Sequence, residues 1–401
     1  MFQEKLPSKR KVLSSLFEAW TPPLETEIID LKDAYKRVLA KTQYSEVTLP
    51  VVRASMMDGV AVRSASFSNG IPDTSGWRIG VDFARADTGD DFPDAFDSVI
   101  RIEDVILDEK NRLSIAPSVE VKPGLNVRPR GSMVSEGELL MEGGLPIRTT
   151  DLAALAMGGK TKIPVYKKPR VAFIPTGSEL VPIGQKPERG QNIDSNSLMV
   201  KHMLLELGAD PILYPIVRDS KAELRTALYQ ALEHADIVLI NGGSSKGGED
   251  YNAGMLSEEG QVLCHWAAAG PGRPICVSLV QGKPAIVVPG PAISAYHVLE
   301  WFVTPLVCRF LNLPPRQNPR IRGRLTKPLH GAPFEFLTRM HVSIGQDGDY
   351  LITPLNFHGG QLLECLASNA QHLSKAGESE HPEGSQLEVE LLRGTEFLHK
   401  G

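Results

Sequence analysis

The sequence predicts a multidomain α/β plus β protein: a three-layer α/β domain with a mostly parallel sheet, a β-rich N-terminal subdomain and a small C-terminal β-barrel. Three observations carry this expectation. From Pro169 to about Asn312, short apolar runs alternate with amphipathic helical segments, as parallel strands covered by helices do. From about Gln43 to Gly131 there are short β-like pieces between Pro and Gly turns and few helix-period stretches. After Pro314 the runs RIRGRLTKPL, FLTRMHVSI, DYLITPL and QLEVELL alternate apolar and polar residues as strands do.

At the N-terminus, MFQEKLPSKRKVLSSLFEAW is basic, but Ser and Glu18 interrupt its apolar residues and no small-residue cleavage site follows, so an amphipathic helix is expected. In the α/β segment, VAFIPTG is the first strand. Asp194 or Ser195 can cap the helix carrying Leu198, His202, Leu204 and Leu205, which ends at Gly208. The strand ILYPIV follows. Ser220 and Glu223 have capping-box spacing at the head of KAELRTALYQALEH, which leads into DIVLI. PICVSLV and PAIVVPG complete the sheet, and Ile293 to Leu311 reads as a long helix bent or interrupted by Pro305. The polar SKAGESEHPEGS is a surface loop of the barrel.

Composition narrows the function classes. A net charge of −5 on 401 residues argues against a general nucleic-acid surface, so any anionic ligand needs a local site. No uncharged apolar run approaches the roughly 20 residues that span a bilayer. Cys264, Cys276, Cys308 and Cys365 are widely spaced, with no CxxC pair, and scattered reduced thiols fit a cytoplasmic protein.

The stretch DIVLINGGSSKGGEDY, Asp236 to Tyr251, is an apolar strand that empties into a loop of two Gly pairs, two hydroxyls, a Lys and two carboxylates. Gly242, Gly243, Gly247 and Gly248 permit backbone conformations that converge N–H groups on an anion, and Ser244, Ser245 and Lys246 add donors. Glu249 and Asp250 add negative charge, a mixture suited to a metal–phosphate ligand. A plain turn between strand and helix would use many of the same residues. Glu179 in TGSEL, Asp219 in VRDS and Asp250 in GGEDY each follow a strand, so all three open onto one rim, outside the carboxyl ends of the strands. Carboxylates brought together repel one another unless a cation or a raised pKa intervenes, which points to a divalent metal, although Asp219 beside Ser220 would also serve as a helix cap.

In the β-rich part, ASMMDGVAVR sets Asp58 at a turn, and NVRPRGS sets Arg128 and Arg130 two apart, on one side of an extended segment where both could grip a phosphate. From spacing alone the plainer reading, a turn aspartate and two solvated arginines, is preferred. Phe357, His358, Gly359 and Gly360 form the one notable turn of the C-terminal segment, with His358 read as an ordinary loop histidine.

The order SMMDGVAVR, ADTGDDFP, VRPRGS, TGSEL, IVRDS, NGGSSKGGEDY, GPGRP and VPGPAISA resembles the molybdopterin molybdenumtransferase family, which includes the E domain of gephyrin. The resemblance covers nearly the whole chain. It implies insertion of molybdate, as substrate, into adenylylated molybdopterin, with release of AMP assisted by Mg²⁺. It implies a homodimer of four-subdomain chains, with an active site shared between chains. The corresponding segments here are 1–42 with 137–168, a helical and linking subdomain; 43–136, β-rich; 169–314, the α/β molybdopterin-binding domain; and 315–401, the barrel. Carried over, Asp58 and Thr88 approach from the second chain, while Glu179, Asp219 and Asp250 act at the α/β rim and hold the metal. Arg128, Arg130, Gly242, Gly243, Ser244, Ser245, Lys246 and Arg273 then bind the pterin phosphate or the oxyanion. Several positions depart from the family: Ser132 and Met133 stand where Glu-Asp is usual, Gly270 and Arg273 where two lysines are, Pro291 where an Asn is, and HGGQ where a Gly-Ser turn is. Two readings follow from these departures: a working divergent transferase, or a catalytically impaired paralogue that binds molybdopterin or its nucleotide as carrier, sensor or scaffold. The bare loop and its acids by themselves also suit a nucleotide-phosphate hydrolase.

Overall fold

The computed structural model describes residues 6–242, 251–355 and 366–399. It divides into two compact units, Thr26–Val165 and the remainder, Met1–Glu25 with Tyr166–Gly401. Among the described residues no helix is long and apolar enough to cross a membrane.

In the unit Thr26–Val165 the central piece is a three-stranded antiparallel sheet in the order Phe83–Ala86, Gly59–Val62, Ser98–Arg101. Its strands alternate. Val60, Val62, Phe83 and Ile100 pack into one buried cluster with Phe67, and Ala61, Ala84, Ala86 and Val99 into another with Phe92 and Phe96. Short ladders accompany it, Ala54–Ser55 with Val127–Arg128 and the hairpin Val105–Leu107 with Leu113–Ile115. Helix Thr149–Met157 buries Leu155 in a further cluster with Leu31, Leu39, Ile147, Ile163 and Val165.

In the other unit a six-stranded sheet runs Asp210–Leu213, Arg170–Pro175, Ile237–Asn241, Lys283–Val288, Cys276–Val280, Gln261–His265. The first four strands are parallel and the last two antiparallel. Alternation along the strands sends Ala172, Ile174, Val238, Ile240, Ala285 and Val287 to one face, against Leu224, Leu228 and Leu232 of helix Lys221–His234 and Met255 and Leu256 of helix Tyr251–Glu259. Val171, Phe173, Ile237, Leu239 and Ile286 point the other way and are equally buried, which requires helices on both faces. Three layers result. Strand Gln261–His265, half exposed at the sheet edge, was not expected from sequence.

Ser220 caps helix Lys221–His234 as its spacing predicts, its hydroxyl accepting from the Glu223 N–H at 3.5 Å. Helix Asn196–Glu206 differs in its buried face. Asn196, Val200, Met203 and Leu204 are buried at positions i, i+4, i+7 and i+8, whereas Leu198 and Leu205 lie off that stripe and are exposed. Asp194, not Ser195, supplies the cap, accepting from the Ser197 N–H at 3.1 Å. The helix broken at Pro305 is found as Ala292–Val298, a π-turn Leu299–Val303, and Thr304–Phe310. Pro305 has no N–H to give, and the chain widens by a residue in the turn before it.

His297 on this helix is fully buried and stacks on Trp301 at 5.6 Å. Burial, with Arg339 adding to it, pushes the imidazole down to about 3. The folded state therefore holds a neutral ring while the unfolded chain takes a proton below about pH 6.5. Stability from this group is complete above pH 6.5 and falls as pH drops toward 3, by roughly 1.4 kcal/mol per unit. Between pH 6.5 and 5 the protein is expected to lose about 2 kcal/mol that His297→Phe, which keeps a ring against Trp301, does not lose. Thermal unfolding of both proteins across that window is the check; equal losses would mean that His297 titrates normally. Glu300, raised by burial, has the opposite sign but is common to both proteins.

After Pro314, strands Arg320–Leu325, Glu335–Ile344, Tyr350–Pro354, Ala370–Ser374 and Gln386–Leu391 close into a five-stranded barrel, because Ala370–Ser374 pairs with both Gln386–Leu391 and Glu335–Ile344. Leu325, Met340, Val342, Ile352, Leu387, Val389 and Leu391 fill it. The expected turn Phe357, His358, Gly359 and Gly360 lies outside the described residues.

Candidate functional site

The chain leaves strand Arg170–Pro175, returns on one side as Asp210–Leu213, then crosses to the other side as Ile237–Asn241. That reversal makes a switch point between Arg170–Pro175 and Ile237–Asn241, and ligands of such sheets bind outside the carboxyl ends there. Thr176, Gly177 and Gly242 form this mouth. The Thr176 N–H and hydroxyl both donate to the Asn241 carbonyl, at 3.1 and 2.5 Å, locking the two strand ends together. Gly242 has φ +102, a conformation that favours glycine, and its N–H donates to the Val288 carbonyl at 2.8 Å.

Glu179 and Asp219 lie on the turns that follow the strands Arg170–Pro175 and Asp210–Leu213, and both are exposed. A reciprocal clasp joins their turns. The Ser178 N–H donates to Asp219 Oδ2 at 2.9 Å and the Asp219 N–H to Ser178 Oγ at 3.2 Å, with no bond to Asp219 Oδ1 among the described residues. Glu179 folds its carboxylate back over Gly177, where a Cβ would meet it at 2.8 Å. The alternative role considered for Asp219, a helix cap, falls instead to Ser220. Gly243, Ser244, Ser245, Lys246 and Asp250 lie outside the described residues.

Both edges of that outlying stretch are anchored by residues that carry no motif. Buried Asn252 donates to the Gly242 carbonyl at 2.6 Å and to Thr176 Oγ1 at 3.3 Å. Buried Asn196 bridges Asn241 Oδ1 at 2.9 Å and the Gly290 carbonyl at 2.8 Å. Sequence reasoning missed these amides, because a single Asn in a strand or a helix has no diagnostic spacing.

Arg273 is half-buried, its guanidinium 5.0 Å from the Phe334 ring centre and 5.8 Å from that of Trp266. Gly270 pairs with Phe336 beside the barrel, and a Cβ there would come within 2.8 Å of Phe336 and 2.9 Å of Phe334. The place of a lysine side chain is therefore filled by aromatic rings. Pro291 sits at the N-cap of Ala292–Val298, where its missing N–H costs nothing but no side chain caps the helix. A separate cavity of about 510 Å³ is lined by Glu206, Tyr296, Glu300, Arg316 and Arg339, among others, and by none of the described rim residues. Burial raises Glu300 there and pushes Tyr296 up to about 12. Topology and oxygen donors favour the switch point for phosphate chemistry.

In the unit Thr26–Val165, Asp58 and Thr88 are brought together. The Thr88 N–H and hydroxyl both donate to Asp58 Oδ1 at 2.7 Å, and these bonds lower the pKa of the exposed carboxyl. Asp58 thus stays ionised with Oδ2 available. Arg128 is half-buried on its short strand, and exposed Arg130 donates from Nε to the Val51 carbonyl at 3.0 Å. Met133 presents a thioether at the surface.

Fold and site together define an α/β domain with acids and a glycine turn at its switch point, followed by a closed barrel. Residues 8–159 match the family model described as MoeA N-terminal region (domain I and II), and residues 172–309 match that described as probable molybdopterin binding domain. A molybdopterin molybdenumtransferase of Nostoc is 30% identical over 328 residues, spanning 75% of this chain and 74% of its own. That of Haemophilus influenzae is 27% identical over 373 residues, spanning 89% and 91%. The crystal structure of a molybdopterin biosynthesis MoeA protein from Pyrococcus horikoshii covers 97% of this chain and 100% of its own, with TM-score 0.78 and 25% identity. The chain belongs to the molybdopterin molybdenumtransferase family, whose work is molybdenum cofactor biosynthesis.

Proposed function

We propose that this chain inserts molybdate into adenylylated molybdopterin with Mg²⁺-dependent release of AMP. The observation that carries the reading is the clasped pair of turns that carries exposed Glu179 and Asp219 beyond the carboxyl ends of the strands, where Gly242 also turns at positive φ, at the switch point of a domain of this family. Their donors are carboxylate oxygens open to solvent, the set a hard, partly hydrated divalent cation prefers. Glu179 and Asp219 would hold Mg²⁺, with Asp250 the third acid. When bound, the cation screens phosphate charge and polarises the bond to be cleaved.

Ser178 keeps Asp219 in place, so that carboxylate needs no reorganisation when the phosphate arrives. Thr88 holds Asp58 as the anion. Gly242, with Gly243, Ser244, Ser245 and Lys246, cradles the pterin phosphate, and Arg273, Arg128 and Arg130 supply positive charge to phosphate or oxyanion. The protein acts as a cytoplasmic homodimer, Asp58 and Thr88 serving the rim of the partner, and its four subdomains follow the segments 1–42 with 137–168, 43–136, 169–314 and 315–401.

A second reading, a paralogue that binds the nucleotide without turnover, is favoured by the aromatic filling at Gly270 and by Met133 in place of an acid. One experiment separates the two. With adenylylated molybdopterin, Mg²⁺ and molybdate, the wild-type protein is expected to release AMP and to stop when Mg²⁺ is chelated. Tight binding with no AMP would establish the second reading and overturn the first, and a gain in Met133→Asp would mark a decayed enzyme. Sedimentation of the same sample as a monomer at micromolar concentration would contradict the shared site.

A further inference from the structure

We propose that the C-terminal barrel carries a second metal site, built from His372, Glu378 and His381, for a divalent transition cation of the zinc type. One ligand atom from each of the three lies within 4.8 Å of the others, and all three side chains are half-buried. His381 Nε2 is 2.7 Å from Glu378 Oε1, and His372 Nε2 is 3.8 Å from the same oxygen. Tetrahedral zinc with bonds of 2.0–2.1 Å sets neighbouring ligand atoms about 3.3 Å apart. The His381–Glu378 edge must open and the His372–Glu378 edge close by about half an ångström, and the two imidazoles, whose ligand atoms lie within 4.8 Å of each other, must settle to the same spacing.

The supporting contacts are those a metal ligand needs. His372 Nδ1 is 2.9 Å from the Glu388 carbonyl, which can only accept, so the proton sits on Nδ1 and the Nε2 lone pair faces the cluster. That Nε2 is buried and makes no hydrogen bond among the described residues. Glu378 is oriented through its other oxygen, Oε2 accepting the Lys375 N–H, which directs Oε1 at both rings. The loop is pinned in register: the Glu378 N–H donates to the Lys375 carbonyl at 3.0 Å, and His381 exchanges backbone bonds with Leu329 in both directions at 2.9 Å. His372 and Glu378 also line a cavity of about 470 Å³ with Arg320, Glu335, Glu388 and Glu390, so a fourth coordination position stays accessible.

Two imidazoles and one carboxylate select zinc, cobalt or nickel over magnesium, which takes oxygen donors. The site is therefore chemically distinct from the acidic rim. A cation here would tie strand Ala370–Ser374 to the loop that leads to Gln386–Leu391.

The test is titration of the metal-stripped full-length protein with Zn²⁺ against a chromophoric chelator, repeated with Co²⁺ for its visible absorption. Wild type is expected to take one equivalent at this site, undisturbed by millimolar Mg²⁺ and without the thiolate charge-transfer band that Cys264, Cys276 or Cys308 would give. His381→Ala and Glu378→Gln should weaken uptake by about 100-fold or more, because losing a ligand exceeds the 10- to 100-fold effect of an outer contact. Circular dichroism and melting of the metal-free variants, expected to match wild type, exclude misfolding. No uptake, which leaves a plain His381–Glu378 ion pair, or equal uptake by wild type and both variants, overturns the proposal.

Discussion

Asp219→Ala is expected to lower the rate of AMP release by about 10²- to 10³-fold, the loss typical when one preorganised electrostatic group is removed from a reacting phosphate or oxyanion. Folding should hardly change. Asp219 is exposed and, among the described residues, its side chain is engaged in the clasp with Ser178, a surface hydrogen bond of about 1 kcal/mol. The side chain therefore has a small structural value and, on the proposed reading, a large chemical one. Asp219→Asn separates the two. An amide oxygen still accepts the Ser178 N–H, so the turn and the melting temperature are kept, while the charge available to a cation is gone. Turnover should fall in both variants, and the Mg²⁺ concentration for half-activity should rise in Asn. If Asp219→Asn releases AMP at the wild-type rate, the charge is not used and the rim is only a pair of capped turns.

The strands that form the rim were legible because buried parallel strands read as continuous apolar runs: VAFIP, IVLI and PAIVV have no other plausible place than inside a sheet. The turns after them were legible for the complementary reason, since glycines and acids break those runs abruptly. What stayed hidden was whatever depends on pairing distant segments. Strand Ala370–Ser374, AQHLS, is too polar to announce itself and is a strand only because two neighbours in the barrel pair with it. With it was lost the cluster of His372, Glu378 and His381, whose members sit on a strand, a turn and a bridge, while the histidine the sequence drew notice to was His358. The departure at Gly270 looked like a lysine lost; Phe334 and Phe336, more than sixty positions away, give it a steric reason. Helix Asn196–Glu206 shows the same limit on a smaller scale, since apolar residues exist on two faces and only the fold chooses which is covered.

Gly242→Val is expected to destabilise the α/β unit by about 2–3 kcal/mol and to abolish binding of the nucleotide, the strain of a β-branched residue held at positive φ accounting for most of the cost. At φ +102 its Cβ would stand 3.0 Å from the Thr176 carbonyl oxygen and 3.1 Å from Thr176 Oγ1. Neither atom is free to retreat, because Thr176 is bound to Asn241 through its N–H and its hydroxyl. Rotating the valine to negative φ instead would sacrifice the bond from Gly242 N–H to Val288 or that from Asn252 to the Gly242 carbonyl, both of which set the mouth of the loop. Gly184→Val supplies the control. Gly184 has φ +94 with nothing within 4 Å of its Cβ position, so the same substitution there carries the backbone strain without the collision. Thermal unfolding of the two variants should therefore differ, Gly242→Val melting lower, and only Gly242→Val should lose the ligand. Equal melting temperatures with ligand binding retained in both would mean that the turn at Gly242 is pliable, and the preorganised cradle at the switch point would have to be abandoned.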